Sequence, residues 1–536
     1  MRHGHRAGIN SANALLVITL TLLGAALRLV SLNTRSFWLD ETTAVRQASW
    51  PIPEILAQMS DNVHPPLFHT LLHYWIGVFG RSEVAVRAFP VTWGIFAIPL
   101  AYWAAKTVYD RRAGLFATGL FAFSPFLVWY SQEARMYTMM LVFALLSIGS
   151  MWKAVETGRP RWWILYALAT AAGTMTQYFF LFLVFAQALY LFGYRVFARE
   201  RTLGLAGERR VAWRRPWGVF ADAPELRGWL GAMFFAAIPS AWWIPQVLAH
   251  KDLFRGVTQP FNYGWSPPGF GIHFNDMILV PAEWIFGFHS ALATHDIVAT
   301  WPLLITLAFL LAGYAGRLSD RTTYLAVSGI GGTAMIALIG TWQPILEARY
   351  FTATGAAIVL LVAGFLSTLR PNVVRPLVAL LIVGALVSWI DQSYNPSGIV
   401  KWDNRQAMRI VADDYRDGDI ILLIPFFVSS IPEYYLPPPA YAAVRKLPEF
   451  DARGQLRNSP VKLGEDLSRQ VAFARRVWVV ATWQDTSRIE LDRNNTGAWL
   501  TSNGYRQLRD YQLNQIRVTL YEGKRGSFFI PNGGRP

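Results

Sequence analysis

The sequence predicts a mostly α, polytopic membrane protein of about 11 transmembrane helices with a small α/β domain at its C-terminal end, and three observations carry that reading. Of its 536 residues, 53% are hydrophobic, 15% aromatic and only 15% charged, too apolar a mixture for an ordinary soluble chain. Apolar runs recur from residue 12 to about 391, at the roughly 20 residues a helix needs to cross about 30 Å of hydrocarbon. Beyond Asp391 the runs shorten to strand length, as in "IILLIPFFV", "RVWVVATW" and "IRVTLYEG".

Arginine blocks set the orientation, because cytoplasmic loops carry the excess of Lys and Arg. Arg2 and Arg6, Arg111 and Arg112, the stretch from Arg195 to Arg227, Arg317 and Arg321, and Arg370 and Arg375 are read as cytoplasmic. The +15 net charge is therefore assigned to topology and not to a nucleic-acid partner. Spans follow near 12–32, 85–108, 113–130, 136–152, 162–176, 179–197, 228–247, 297–316, 322–342, 351–369 and 376–391, with the N-terminus inside and the last residues outside. The first run is read as a retained signal anchor, its apolar core being longer than a signal-peptide h-region. With no cysteine in the sequence, neither a disulfide framework nor thiol chemistry is available.

Two stretches, Asn33 to Val84 and Ala249 to Thr300, interrupt the spans with Pro, His, Trp and acidic residues and are read as outer loops. Within the first, "PPLFHTLLHYWIGVFG" is apolar but about half a bilayer long, which suits an interfacial helix with Tyr74 and Trp75 at headgroup level. The helix-like "NRQAMRIVADDYRDGD" opens the α/β domain, giving domains 1–392 and 393–536, the second on the outer side. No internal repeat is visible, which weighs against an inverted-repeat transporter.

The stretch "SFWLDETTAVRQ" puts Asp40 and Glu41 directly after the first span. Taken alone, Asp40 reads as the N-cap of a short helix from Glu41 to about Ser49, with Glu41 complementing the helix dipole. Charge counting, however, places Asp61 with His64, Glu133 with Arg135, and Glu347 with Arg349 on the same membrane face. Each pair alone suits a local ion pair or cap, and their convergence on one face points to a site. His69 and His73 stand at i, i+4, but no Glu completes a metalloprotease pattern, so no metal ligand set is assigned and a divalent metal is left open.

"FWLDE", "DNVHPPL", "VRAFP", "YSQEARMYT" and "EARYF", in that order, resemble the glycosyltransferase C (GT-C) superfamily, specifically family 39, which holds protein O-mannosyltransferases and bacterial aminoarabinose transferases. The resemblance covers most of residues 12 to 370 and is strongest over the first 140. It implies a GT-C fold in a bacterial inner membrane, and an inverting, mannosyltransferase-like enzyme of the cell envelope. Such an enzyme moves a sugar from a polyprenyl-phosphate carrier to a glycan, lipid or protein acceptor at the periplasmic or extracellular face. Asp40 matches the family's acidic base position. The lumenal insert of eukaryotic protein mannosyltransferases has no counterpart here, and the metal ligands of some relatives are not matched residue by residue.

The residues suit that chemistry. A lipid-linked sugar phosphate carries its own leaving group, so the enzyme needs a base for the acceptor hydroxyl and cations for the departing phosphate, with no nucleotide-binding loop. Asp40 is assigned as base and Glu41 to orientation or acceptor contact. Arg87, Arg135 and Arg349 are assigned to the donor phosphate, which guanidinium groups bind bidentately. Asp61, His64, Gln132, Glu133 and Tyr137 are assigned to the acceptor or sugar pocket. The competing class is a transporter or flippase of lipid-linked saccharides, which would carry its polar groups near mid-span.

Overall fold

The computed structural model describes residues 2–59, 64–196, 223–249, 319–340, 348–394, 402–424, 426–446, 467–471, 474–482 and 487–523. Backbone packing divides the chain into a membrane unit, Met1–Leu32 with Ala48–Gly398, and a second unit, Asn33–Gln47 with Ile399–Pro536. The segment that bears Asp40 thus belongs by packing with the C-terminal residues, across a stretch of sequence that a division at 392/393 does not anticipate.

The chain opens with α1 (Arg2–Leu29), followed by three short helices, α2 (Leu39–Ala48), α3 (Ile52–Met59) and α4 (Leu67–Phe79). Then come α5 (Glu83–Val108), α6 (Arg111–Phe123), α7 (Pro125–Ser131), α8 (Tyr137–Thr157), α9 (Pro160–Thr176) and α10 (Phe180–Leu189), which continues as a π-helical turn over Tyr190–Val196. After α11 (Pro224–Ala249), α12 (Asp320–Ala326) and α13 (Gly332–Gly340) flank a second π-turn, Val327–Gly331. A 3₁₀ turn, Ala348–Phe351, leads into α14 (Thr352–Thr368), and α15 (Pro371–Tyr394) follows.

Among the described residues, five helices are long and apolar enough to cross a membrane, or six if the bent pair α6–α7 is one span. Of the other expected spans, 162–176 and 179–197 fall on α9 and on α10 with its π-turn, 228–247 and 376–391 fall on α11 and α15, and the span near 297–316 lies outside the described residues. Leu15, Ile18 and Leu22 of α1 and Phe234, Phe235 and Ile238 of α11 are exposed, the composition of a lipid-facing surface. α4 is a separate helix of 13 residues, too short to span.

The run read as one span over 113–130 is two helices bent by 57° at Ser124. Pro125 has no N–H, so the carbonyl of Phe121 loses its helical donor, and the bend strips Ala122 of its own. Arg28, buried at the end of α1, supplies both: Nη2 donates to Phe121 O at 2.7 Å and Nη1 to Ala122 O at 3.0 Å. Nη1 also reaches Gly24 O at 2.9 Å, and Nε donates to Ser131 Oγ at 3.0 Å. Gly94 of α5 lies against this knot, where a Cβ would strike Ser131. A second polar knot joins the other helices. Gln187 Oε1 accepts from Tyr166 (3.0 Å) and Ser147 (3.2 Å), while its amide donates to Tyr324, which donates to Ile148 O at 3.0 Å.

In the second unit, α16 (Asn404–Asp414) leads to β1 (Ile420–Ile424), a 3₁₀ turn (Phe426–Ser429), α17 (Ser430–Tyr435), α18 (Pro438–Ala442) and β2 (Val444–Lys446). Then β3 (Arg476–Thr482), α19 (Ser487–Ser502), β4 (Tyr505–Leu513) and β5 (Ile516–Gly523) complete it. The sheet order is β2-β1-β3-β5-β4, with β1, β2 and β3 parallel and β5 and β4 antiparallel. The run "IILLIPFFV" yields a strand only to Ile424, since Pro425 has no N–H for a ladder.

Alternation on β3 decides the layers. Trp478 and Val480 face Ala407, Met408 and Val411 of α16, while Val477, Val479 and Ala481 face Leu500 of α19, so both faces are covered. Buried Arg476 pairs with Asp414 (3.0 Å) and Asp419 (3.5 Å), and Asp419 also accepts from Trp478 Nε1 at 3.0 Å.

Arg28→Met roughly keeps the volume but leaves two buried carbonyls without donors. It is expected to cost about 3 kcal/mol, since each buried unsatisfied group costs ~1–3 kcal/mol. Thermal unfolding in detergent, with amide exchange read at α7, checks it.

Candidate functional site

The bend at Ser124 aims α7 so that the chain leaves it at Gln132 and re-enters α8 at Tyr137. Gln132 closes the end of α1, its amide donating to Leu27 O (3.2 Å), Arg28 O (3.1 Å) and Val30 O (2.7 Å). These are carbonyls a helix end leaves open. Held at that end, the loop Gln132–Met136 turns tightly, with Arg135 N donating to Glu133 O at 2.6 Å, and both side chains are buried.

Arg135 Nη2 lies 2.6 Å from His64 Nε2, just before the two prolines that start α4. A guanidinium can only donate, so Nε2 accepts and the ring proton resides on Nδ1. His64 is therefore neutral. Its charged form is held well below the usual imidazole range by burial first, then by Arg135, His69 and Arg349, and is favoured only by Gln177 beside it. His69, one helical turn further along, is pushed down to about 3 by burial and by Arg135.

Among the described residues, Gln177 Nε2 and both ring nitrogens of His69, one of which carries a proton, find no hydrogen-bond partner, while the donor His64 Nδ1 is left with Gln177 beside it. Buried polar atoms of this kind call for an explanation. Arg349 lies over Tyr350 at 5.5 Å, and Tyr350 stacks on Phe179 at 4.5 Å, which orients the guanidinium. Arg135, buried, and Arg349, half-buried, thus stand with neutral hydrogen-bond donors, a composition that suits an anion.

Of the residues expected in the site, the structure brings His64, Arg135 and Arg349 together. Arg87 is buried and donates to Leu32 O at 2.8 Å, at the end of the first span. Tyr137 is buried edge-on to Tyr130 at 5.0 Å. Asp61 and Glu347 lie outside the described residues.

Asp40 and Glu41 belong to the second unit and open α2 there. Asp40 is not its N-cap, because the helix begins at Leu39, two residues before the expected start: Glu41 Oε2 accepts from Trp38 N at 3.4 Å and is buried, while Asp40 is half-buried in the first turn. His73, at i+4 from His69, has its Nδ1 2.9 Å from Ala48 O. Among the described residues no three His, Asp or Glu converge on a point that would hold a metal ion.

Sequence reasoning missed Arg28 and Gln177. A lone arginine inside an apolar run was a usable signal for the first. Nothing distinguished Gln177 from any polar residue between two spans.

Beside the cluster's helices, Thr174, Leu181, Phe185, Met233, Ala237 and Leu338 line an open apolar groove of about 680 Å³ between α9, α10, α11 and α13.

Residues 63–207 match a protein family described as dolichyl-phosphate-mannose-protein mannosyltransferase. The structure of ArnT from Cupriavidus metallidurans in the apo state superposes with a TM-score of 0.56 at 11% identity, over 96% of this chain and 98% of that one. The chain has the GT-C fold. The same ArnT bound to undecaprenyl phosphate gives 0.56 at 12% identity, over 94% of this chain and 97% of that one. The oligosaccharyltransferase AglB from Archaeoglobus fulgidus, in complex with an inhibitory peptide and a dolichol-phosphate, gives 0.53 at 12% identity, over 97% and 75%. No curated protein sequence matches the chain. The motif resemblance and the fold therefore agree.

Because His64 and His69 are neutral when folded and take up protons near pH ~6.5 when unfolded, the unfolded state binds more protons below that pH. Their contribution to stability is fully present above pH ~6.5 and is lost as pH falls toward the folded values. The melting temperature in detergent is expected to drop between pH ~7 and ~5, and to drop less in His69→Gln.

Proposed function

We propose that the chain is an inverting, polyprenyl-phosphate-sugar-dependent glycosyltransferase acting at the outer face of the membrane, with the second unit on that side. The observation that carries the reading is the cluster of His64, Arg135 and Arg349, rich in hydrogen-bond donors and suited to a lipid-linked phosphate. Undecaprenyl phosphate and dolichol-phosphate, the lipids in the ArnT and AglB structures, belong to that class. The apolar groove between α9, α10, α11 and α13 suits the prenyl chain.

In this reading Arg135 and Arg349 hold the phosphate oxygens, with His64 donating from Nδ1. Arg87 supports them from the end of the first span, and Gln132, Glu133 and Tyr137 shape the sugar pocket beside them. Asp40 takes the proton from the acceptor hydroxyl as its oxygen bonds to the anomeric carbon. The bond from that carbon to the phosphate oxygen breaks, its electron pair leaves with the polyprenyl phosphate, and the anomeric centre inverts. Glu41, buried and bonded to the Trp38 amide, holds the turn that presents Asp40.

Transfer from radiolabelled polyprenyl-phosphate sugars in membranes containing the chain tests the whole reading. Protection of the second unit from protease in spheroplasts, with cleavage in inside-out vesicles, would reverse the orientation. Asp40→Asn is expected to lower turnover by ~10²- to 10⁴-fold, about 3 to 5 kcal/mol of barrier, with unchanged melting. Wild-type turnover would remove Asp40 as base, and loss confined to Glu41→Gln would move the role one residue along. Arg135→Lys keeps the charge but loses the fork, so affinity for polyprenyl phosphate is expected to fall. An unchanged affinity would leave Arg135 with a purely structural role.

A further inference from the structure

Asp40 is bracketed by hydrogen bonds to residues nearly 400 positions away in the sequence. On its N-terminal side, Phe37 N donates to Tyr435 Oη at 2.7 Å and Asn404 Nδ2 donates to Phe37 O at 2.9 Å, so both backbone groups of Phe37 are held by side chains of α17 and α16. Ser36 Oγ donates to Trp402 O at 2.5 Å and accepts from Asn404 N at 3.1 Å. On its C-terminal side, the hydroxyls of Thr42 and Thr43 meet that of Ser430 at 2.8 and 3.1 Å. Arg46 pairs with Glu433 at 3.6 Å. Apolar contacts complete the seat: Phe37 packs on Tyr434 at 5.1 Å, Trp38 meets Trp402 edge-on at 6.5 Å, and Leu39 joins the core of α16 and β3.

A segment in an outer loop of a membrane enzyme has no need of this many distant partners to be solvated. Most of the bonds fall within four residues of Asp40, and the side chains that make them, Asn404, Ser430 and Tyr435, are buried or half-buried on elements of the α/β unit. Their common effect is to fix the backbone on each side of one half-buried carboxylate.

We propose that the C-terminal α/β unit positions the Asp40–Glu41 turn for sugar transfer, with Tyr435, Ser430 and Asn404 as positioning residues. The inference rests on the reading of Asp40 as the base. A reacting group displaced by about 1 Å can cost ~10²-fold in rate, so loosening this seat should reach the chemistry without touching the lipid phosphate site. The unit is thereby part of the enzyme's working machinery and not an appendage for attachment alone.

Tyr435→Phe and Ser430→Ala each remove one hydroxyl and little volume. In a deletion strain complemented at matched expression, each is expected to lower the initial rate of metabolic label transfer into envelope glycans by about tenfold or more. Polyprenyl phosphate should bind the purified variants with wild-type affinity. Placed on Asp40→Asn, neither should lower the rate further, because groups acting through one residue are not additive. Amide exchange across residues 33–47 should quicken in both variants and stay unchanged in α8.

Rates within twofold of wild type in both variants overturn the inference, as does an equal further loss on the Asp40→Asn background or unchanged exchange across 33–47. A fall in lipid affinity overturns it too, since the effect would then be general damage. Full activity in Asp40→Asn alone overturns the base assignment instead. Quickened exchange beside that result would leave the seat standing and remove only its catalytic purpose.

Discussion

The membrane unit depends on one buried cation. In hydrocarbon every backbone polar group must find a partner within the protein, and Pro125 removes a donor from the middle of what would otherwise be one span. Arg28 answers this by donating to the carbonyls of Phe121 and Ala122 and to the hydroxyl of Ser131, so the bend is satisfied from a neighbouring helix. Gln132 returns the arrangement by donating to the last carbonyls of the helix that carries Arg28. The two helices thus close each other's open ends. The direction of α7, and with it the loop that presents Arg135, follows from that exchange.

The cluster at the end of this chain of constraints has an unusual electrostatic composition. Burial first, and then Arg135, keep His64 and His69 neutral, with Arg349 adding to the effect at His64, because a further positive charge would be opposed by both desolvation and repulsion. Neutral imidazoles beside arginines add donors without adding charge. Aromatic packing of Tyr350 on Phe179 sets where Arg349 lies, so the residues that hold the cations are as much a part of the site as the cations themselves.

The second unit applies the same logic around its sheet. Its central strand is covered on both faces, and the buried Arg476 is matched by Asp414 and Asp419, so the sheet is a rigid support. A rigid support is what a short loop needs if it must hold a carboxylate in one place, since few of its own contacts can do so. The loop's short sequence is otherwise polar enough to remain in solvent.

The sequence by itself determined the class of the protein. Apolar runs, arginine blocks and the shift to strand-length runs after Asp391 depend on composition and period, which are local properties of the chain. It also set His64 and Arg135 apart as candidates, because both sit in short polar stretches between apolar ones. What it could not determine is how these stretches meet. The helix start at Leu39, the break at Ser124, the neutrality of His64 and the docking of Asn33–Gln47 onto α16 and α17 all come from contacts between residues far apart in the chain. Arg28 shows the limit most plainly: as a letter it is one cation at the end of a span, and only the packing of α1 against the bend of α6 and α7 supplies the carbonyls that make it necessary.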